Sequence, residues 1–223
     1  MAPVTRILAV ADEIDRGLTV ARMRQIAPDL VVSCGDLPFE HLEFISSAVN
    51  RPVLFVPGNH DPDLSRTRDP HRAVSVGPVV RLPDYESMYD HGQRPHGGTN
   101  LDGILHHEKG LWFAGLGGSI KYRDGANMYT QDQMRRRVRR IVRRARFRRR
   151  TIDIVVTHSP PRGLGDAPDH AHTGFDAFHT LLERLRPRFM LHGHIHPHGF
   201  DKPDRELGPT RIVNVIPYKV IEV

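Results

Sequence analysis

The stretch at residues 190–198 reads Met-Leu-His-Gly-His-Ile-His-Pro-His. Its apolar beginning predicts a short buried strand, and Gly193 allows the backbone to turn tightly or to approach another atom closely. His194 and His196 stand two residues apart, so on an extended segment their imidazoles would project on the same side, about 6–7 Å apart. Two imidazoles at that spacing can ligate neighbouring metal ions, although a solvent-exposed, histidine-rich turn would have the same sequence.

The composition is that of an ordinary globular chain with an unusual number of histidines. The 223 residues are 39% hydrophobic and 26% charged, which is enough for one large domain with a proper core. Fifteen histidines make a metal-binding or proton-transferring role worth testing. The single cysteine, Cys34, excludes an internal disulfide and fits a reducing cytoplasm. No membrane span or signal peptide is recognisable, so we expect a cytoplasmic protein with no membrane partner.

Five short apolar runs predict buried strands of a largely parallel sheet. They occupy residues 7–11, 30–34, 52–56, 152–156 and 189–191. Apolar residues at helical spacing predict helices over 16–27, 39–49, 131–150 and 174–185. Each apolar run is followed directly by polar residues, and ligands of α/β folds bind at the carboxyl ends of strands. The sequence therefore places a candidate site at one edge of the predicted sheet.

The remaining segments favour a single domain over residues 1–223, because no linker divides the chain. Residues 62–100 have no sustained periodicity, and a loop of that length predicts a lid over the site. Residues 101–109 and 111–116 predict a hairpin, and the tail from residue 211 predicts two more strands.

Residues 131–150 contain eleven arginines, which lie around an apolar stripe at helical spacing. The stripe consists of Met134, Val138, Ile141, Val142 and Ala145. A solvated basic face is the simpler interpretation of this amphipathic helix, and binding to nucleic acid or to an acidic partner is the alternative. Only one aromatic residue, Phe147, interleaves with the arginines, which is too few to stack on successive bases, so nucleic acid is not the favoured partner.

Residues with metal-binding side chains follow all five predicted strands. They are Asp12 with Asp15, Asp36, Asn59 with His60 and Asp61, His158, and His194 with His196. Carboxylate, amide and imidazole ligands together suit divalent ions such as Mn²⁺, Fe²⁺, Co²⁺, Ni²⁺ and Zn²⁺. Taken singly, the residues have structural explanations: Asp12 and Asp36 could cap the following helices, and His158 could be a satisfied core histidine.

Four motifs resemble those of the calcineurin-like metallophosphoesterases, in the same order. They are Gly35-Asp36, Gly58-Asn59-His60-Asp61, Thr157-His158 and Gly193-His194-Ile195-His196. The resemblance covers nearly the whole chain and implies an α/β fold of two packed mixed β-sheets flanked by helices, a four-layer αββα sandwich. It also implies two divalent metal ions. Asp36 would bridge them, with Asn59, His158 and His194 completing one site and Asp12 and His196 belonging to the other.

The same resemblance implies a function. His60 would lie close to the phosphate without ligating metal, and Asp61 could hold its ring cationic. We therefore expect a metal-dependent phosphohydrolase, specifically a phosphodiesterase, that cleaves a phosphate ester through in-line attack by metal-bound hydroxide. A degenerate family member that serves as a binding scaffold is one alternative, and a nuclease that uses the basic helix is another.

The first motif departs from the family pattern. The family has Asp-x-His, whereas this chain has Asp12-Glu13-Ile14, and isoleucine cannot ligate a metal. Asp15 is a tentative substitute; otherwise water fills the position or that metal binds weakly. A replacement ligand with oxygen donors would favour harder ions, so Mn²⁺ is the preferred candidate and one of the two sites is expected to be weak.

Overall fold

The first strand, β1 (Arg6–Val10), is buried along most of its length. Ile7 and Ala9 point into a core shared with a second sheet, whereas Leu8 and Val10 point into a core shared with helices. Because alternate residues of a strand project on opposite faces, a strand that is apolar on both faces needs a covering layer on each side. The computed structural model, which describes residues 4–64, 98–197 and 203–223, contains both layers.

β1 belongs to a five-stranded mixed sheet. Its order is β13 (Tyr218–Glu222), β1, β2 (Leu30–Ser33), β3 (Val53–Phe55) and β4 (Gly98–Asn100). β13 runs antiparallel to β1, and the other neighbours are parallel. Helices α1 (Val20–Ile26) and α2 (Phe39–Val49) cover the outer face of this sheet, where Met23 and Ile45 are fully buried.

The second sheet has six strands and is also mixed. Its order is β11 (Arg205–Leu207), β12 (Thr210–Asn214), β10 (Phe189–His192), β9 (Ile154–Thr157), β6 (Leu111–Leu116) and β5 (Leu105–Glu108). The four central strands are parallel, and the two edge strands are antiparallel to their neighbours. Helices α3 (Gln131–Phe147) and α4 (Ala177–Leu185) cover its outer face, and a short pair, β7 (Ser119–Ile120) with β8 (Met128–Tyr129), lies apart.

The arginine-rich helix α3 is stabilised by a cap at its first turn and by its buried apolar face. Thr130 caps the first turn, and Gln133 completes a capping box with it. The predicted stripe is buried at Met134, Val138, Ile141 and Ala145, against the core under the second sheet. The amphipathic helix is therefore confirmed, although it ends at Phe147.

The layered architecture of two mixed sheets flanked by helices is the α/β fold that the sequence predicts. Several boundaries differ. Helix α1 begins at Val20 instead of residue 16, because the backbone N–H of Leu18 donates to the Asp15 carbonyl and Thr19 caps the helix. Residues 65–97, which make up most of the predicted lid at 62–100, lie outside the described residues. Within the parts of the chain that the structure describes, no helix has the length and apolarity needed to span a bilayer.

Candidate metal centre

The two sheets bring their strand ends together at one edge of the sandwich. Asp12 follows β1 in the first sheet, and its Oδ2 accepts a 3.0 Å hydrogen bond from the backbone N–H of His194, which follows β10 in the second. Ligand atoms of Asp12, Asp36 and His158 lie within 4.8 Å of one another. Residues from three different strands, on two sheets, therefore converge on a volume that one ion could occupy.

His158 lies at the centre of this group and is completely buried. Its Nδ1 is 2.8 Å from the carbonyl oxygen of Cys34, so this nitrogen carries a proton. Its Nε2 faces two oxygens, Asn59 Oδ1 at 3.0 Å and Asp36 Oδ2 at 3.2 Å. Three acceptors cannot share one small space unless a proton or a metal cation lies between them. The Nε2 atom of His158 therefore needs either a proton or a metal cation.

The pKa values at the centre are those of two buried carboxylates with one cationic partner between them. Burial raises the pKa of Asp12 to about 6. Burial also raises the pKa of Asp36, but the neighbouring His158 outweighs that effect and holds the pKa below its usual value. Burial lowers the pKa of His158, yet Asp36 and Asp12 raise it to about 9. The two carboxylates share a single imidazolium, and this donor set fits a divalent cation that replaces its proton.

The helix-capping explanation for the two aspartates does not hold. Thr19 caps α1 through its side chain, and α2 begins after Pro38 with no side-chain cap. Asp36 instead accepts a 2.8 Å hydrogen bond from the backbone N–H of His60, which ties the β2 end to the loop after β3.

The backbone at the site is strained where the candidate ligands stand. Asp12, Asp36 and His194 have φ values of 58°, 57° and 67°, in a left-handed region that residues other than glycine seldom adopt. Glycines allow the carboxylates to approach: a Cβ atom at Gly58 would overlap Asp36 Oδ1, and one at Gly193 would overlap Asp12 Oδ2. Strain of this kind persists where the surrounding structure fixes a functional geometry.

His194 and His196 do not lie on an extended segment, contrary to the expectation from their spacing. Strand β10 ends at His192, and the positive φ of His194 turns the chain there. The His194 ring lies 4.8 Å from the His158 ring, and its Nε2 is 3.0 Å from the Ala171 carbonyl oxygen. Burial and the neighbouring His158 lower the pKa of His194 to about 3, so its ring is neutral.

His196 extends in another direction, toward the first motif. Its Nδ1 is 2.6 Å from Glu13 Oε1, and its Nε2 is 3.9 Å from Asp12 Oδ1. Asp15, the predicted substitute ligand, uses Oδ1 to accept a 2.6 Å hydrogen bond from the backbone N–H of Gly17. The structure therefore places Glu13, rather than Asp15, beside His196.

The loop after β3 holds the three remaining predicted residues. Asn59 is buried and faces His158, whereas His60 is exposed at the rim. Asp61 accepts backbone hydrogen bonds from Gly58 at 2.7 Å and Asp36 at 3.0 Å. Asp61 thus holds the loop against β2 through the backbone, and burial raises the pKa of its carboxyl.

Three residues near the site were missed by the sequence analysis. Glu13 offered a signal, since it is a carboxylate inside the altered first motif. Tyr122 lies 3.4 Å from the Asn59 amide nitrogen, and the His172 ring lies 5.1 Å from the His194 ring. Both come from loops without a motif, so only the fold places them here.

The fold identifies the family of the chain. The model of the calcineurin-like phosphoesterase family matches residues 6–198, and the chain therefore belongs to this family. Its members hydrolyse phosphate esters with divalent metal ions. No curated protein sequence matches the chain significantly.

Solved structures share the fold at low sequence identity. One crystal structure has a TM-score of 0.63 at 14% identity, covering 99% of this chain and 95% of the other. The protein TT1561 of Thermus thermophilus has a TM-score of 0.59 at 16% identity, covering 96% of this chain and 89% of its own. These likenesses extend over nearly the whole chain and concern the fold alone.

Proposed function

We propose that the protein is a phosphodiesterase whose centre holds two divalent metal ions, with Mn²⁺ favoured. The observation that carries this proposal is the buried group of Asp12, Asp36 and His158, whose ligand atoms lie within 4.8 Å of one another. Asp36 would be shared by both ions. Asn59, His158 and His194 would complete one site, and Asp12 and His196 would belong to the other. When bound, such ions supply positive charge that holds a phosphate and stabilises the negative charge on its oxygens during the reaction.

His60 is the candidate catalytic residue. Its backbone is fixed by the hydrogen bond to Asp36, while its side chain remains exposed at the rim of the site. A ring in this position can contact a phosphate without ligating metal, and it can donate a proton to the leaving oxygen. Asp61 supports this role by fixing the loop through Gly58.

The second metal site depends on the altered first motif. We assign Glu13 as the residue that orients His196, because its carboxylate accepts the Nδ1 proton and leaves Nε2 toward Asp12. Asp15 remains the competing candidate: its Oδ1 accepts the backbone N–H of Gly17, and its other carboxylate oxygen would have to supply the ligand.

In the part of the chain that the structure describes, the buried candidate ligands have no cationic side chain from outside their own group paired with them. Among the described residues, no lysine or arginine forms an ion pair or hydrogen bond with Asp12, Asp36, Asn59 or His158. The described residues therefore leave the charge of a bound phosphate to the metal ions, and turnover of the two ester classes decides between a diester and a monoester.

Turnover by the purified protein tests the proposal. With Mn²⁺ added, we expect bis(p-nitrophenyl) phosphate to be hydrolysed faster than p-nitrophenyl phosphate, and Asp36→Asn to abolish the reaction. Asp132→Asn, an exposed change of the same chemistry on α3, is the matched control and should leave the rate unchanged. Faster turnover of the monoester would contradict the diesterase assignment, and faster turnover of single-stranded or duplex DNA would favour a nuclease. Metal binding without turnover of any ester would favour a scaffold.

A further inference from the structure

A groove of about 640 Å³ lies between α3 and α4, on the outer side of the second sheet. Val138, Val142 and Phe147 from α3 supply its apolar surface. Phe147 is 89% exposed, an unusual position for a large apolar side chain at the end of a charged helix. The groove uses none of the candidate metal ligands, so what binds there is independent of the proposed catalysis.

Four arginines surround this apolar surface. Arg139, Arg143 and Arg146 lie four and three residues apart on one face of α3, and Arg184 faces them from α4. None of the described residues that line the groove is acidic. The groove therefore combines an apolar floor with an uncompensated cationic rim.

Some of the other arginines of α3 have partners within the fold. Arg137 pairs with Asp102, donates to the Gly117 carbonyl at 3.1 Å, and lies 4.0 Å above the Tyr129 ring. Arg144 likewise donates to the Gly103 carbonyl. These contacts explain why arginine occurs at these two positions of α3.

The rim arginines have no such explanation. Across residues 4–64, 98–197 and 203–223, the side chains of Arg139, Arg143, Arg146 and Arg184 form no hydrogen bond or ion pair. Four guanidinium groups held together around an apolar floor repel one another, and an anionic partner relieves that repulsion.

We propose that this groove docks an acidic amphipathic helix of a partner protein. Carboxylates at helical spacing would form paired hydrogen bonds with the guanidinium groups, and the apolar side of the helix would cover Val142 and Phe147. The phosphates of a nucleic acid could pair with the rim arginines, but a nucleic-acid backbone has no apolar face to cover the apolar floor of the groove. The combination of rim and floor favours the helix.

Two synthetic peptides test this proposal with the full chain. One is a labelled helix of leucine and glutamate with leucines at i, i+3, i+4 and i+7, and the other is a scrambled isomer of equal charge. Fluorescence anisotropy should show the amphipathic peptide binding about tenfold more tightly than the isomer. Equal affinities would overturn the proposal, as would binding to duplex DNA that is tighter than binding to the peptide.

Matched variants locate the binding. R139E with R143E should weaken binding at least about tenfold, whereas R136E with R140E, the same charge change outside the groove lining, should weaken it far less. F147A should also weaken binding and, because the side chain is 89% exposed, it leaves the fold intact. Circular dichroism checks the folding of each variant. Equal losses from the two double variants, together with no effect of F147A, would mean non-specific charge attraction and would overturn the proposal.

Discussion

The carboxylate of Glu13 and the ring of His196 lie 2.6 Å apart, although 183 positions separate them in the chain. The other ring nitrogen, Nε2, lies 3.9 Å from Asp12. A carboxylate that accepts one imidazole proton fixes the tautomer and directs the free nitrogen toward a metal. The altered first motif therefore retains a group that would orient His196 at the proposed second site, while Ile14 beside it is 52% exposed.

Replacing Glu13 should weaken the second metal site. We expect Glu13→Ala to lower Mn²⁺ affinity there by about 10–100-fold, because His196 loses the group that orients it. Glu13→Gln should lose less, since its carbonyl can still accept the Nδ1 proton. Titration calorimetry measures both. Asp15→Ala is the matched control: if it costs one ion while Glu13→Ala costs none, Asp15 is the ligand and the assignment of Glu13 is wrong.

Restoring the family residue should strengthen the same site. Ile14→His adds an imidazole two residues beyond Asp12, and the exposed position of Ile14 leaves room for it. We expect the wild type to retain about one ion per chain after dialysis and the variant to retain about two. Metal content by mass spectrometry checks this. Two tightly held ions in the wild type would show that the second site is already complete.

Asp36→Asn should reduce activity far more than Asp12→Asn. Asp36 contacts His158 directly. In the proposed centre its carboxylate would neutralise charge on both ions, whereas the carboxylate of Asp12 would ligate only one. Initial rates at saturating Mn²⁺, together with metal content, distinguish the two variants. Equal and mild losses with the metal content intact would argue against a dinuclear mechanism.

His60→Ala should lower kcat while leaving the metal content unchanged. The exposed ring of His60 is proposed to act on the substrate, and such groups contribute about 10²–10⁴ in rate. Steady-state kinetics and metal analysis of the same preparation measure the two effects. Loss of an ion from this variant would reassign His60 as a ligand.

The sequence predicts this fold and much of the site because both depend on short-range patterns. Apolar runs followed by polar residues located Asp36 and His158 at strand ends, and parallel strands bring such ends to one edge. Strands β4, β7, β8 and β11 are short and lack an apolar pattern, so they were not predicted.

The positions of the other site residues depend on loops and tertiary contacts. Glu13 and His172 reach the centre only because two distant segments meet there. The positive φ of His194, which turns the histidine motif away from an extended geometry, accompanies a hydrogen bond from its backbone N–H to Asp12. The position of His172 and the turn at His194 have no local sequence signal.

Anomalous diffraction from crystals of the Mn²⁺-loaded protein tests the central claim most directly. We expect two peaks on either side of the Asp36 carboxylate, one beside His158 and the other, at lower occupancy, beside Asp12 and His196. A manganese edge scan of the same crystals identifies the ion. Absence of any peak within reach of Asp12, Asp36 and His158 would contradict the metal centre and the function proposed from it.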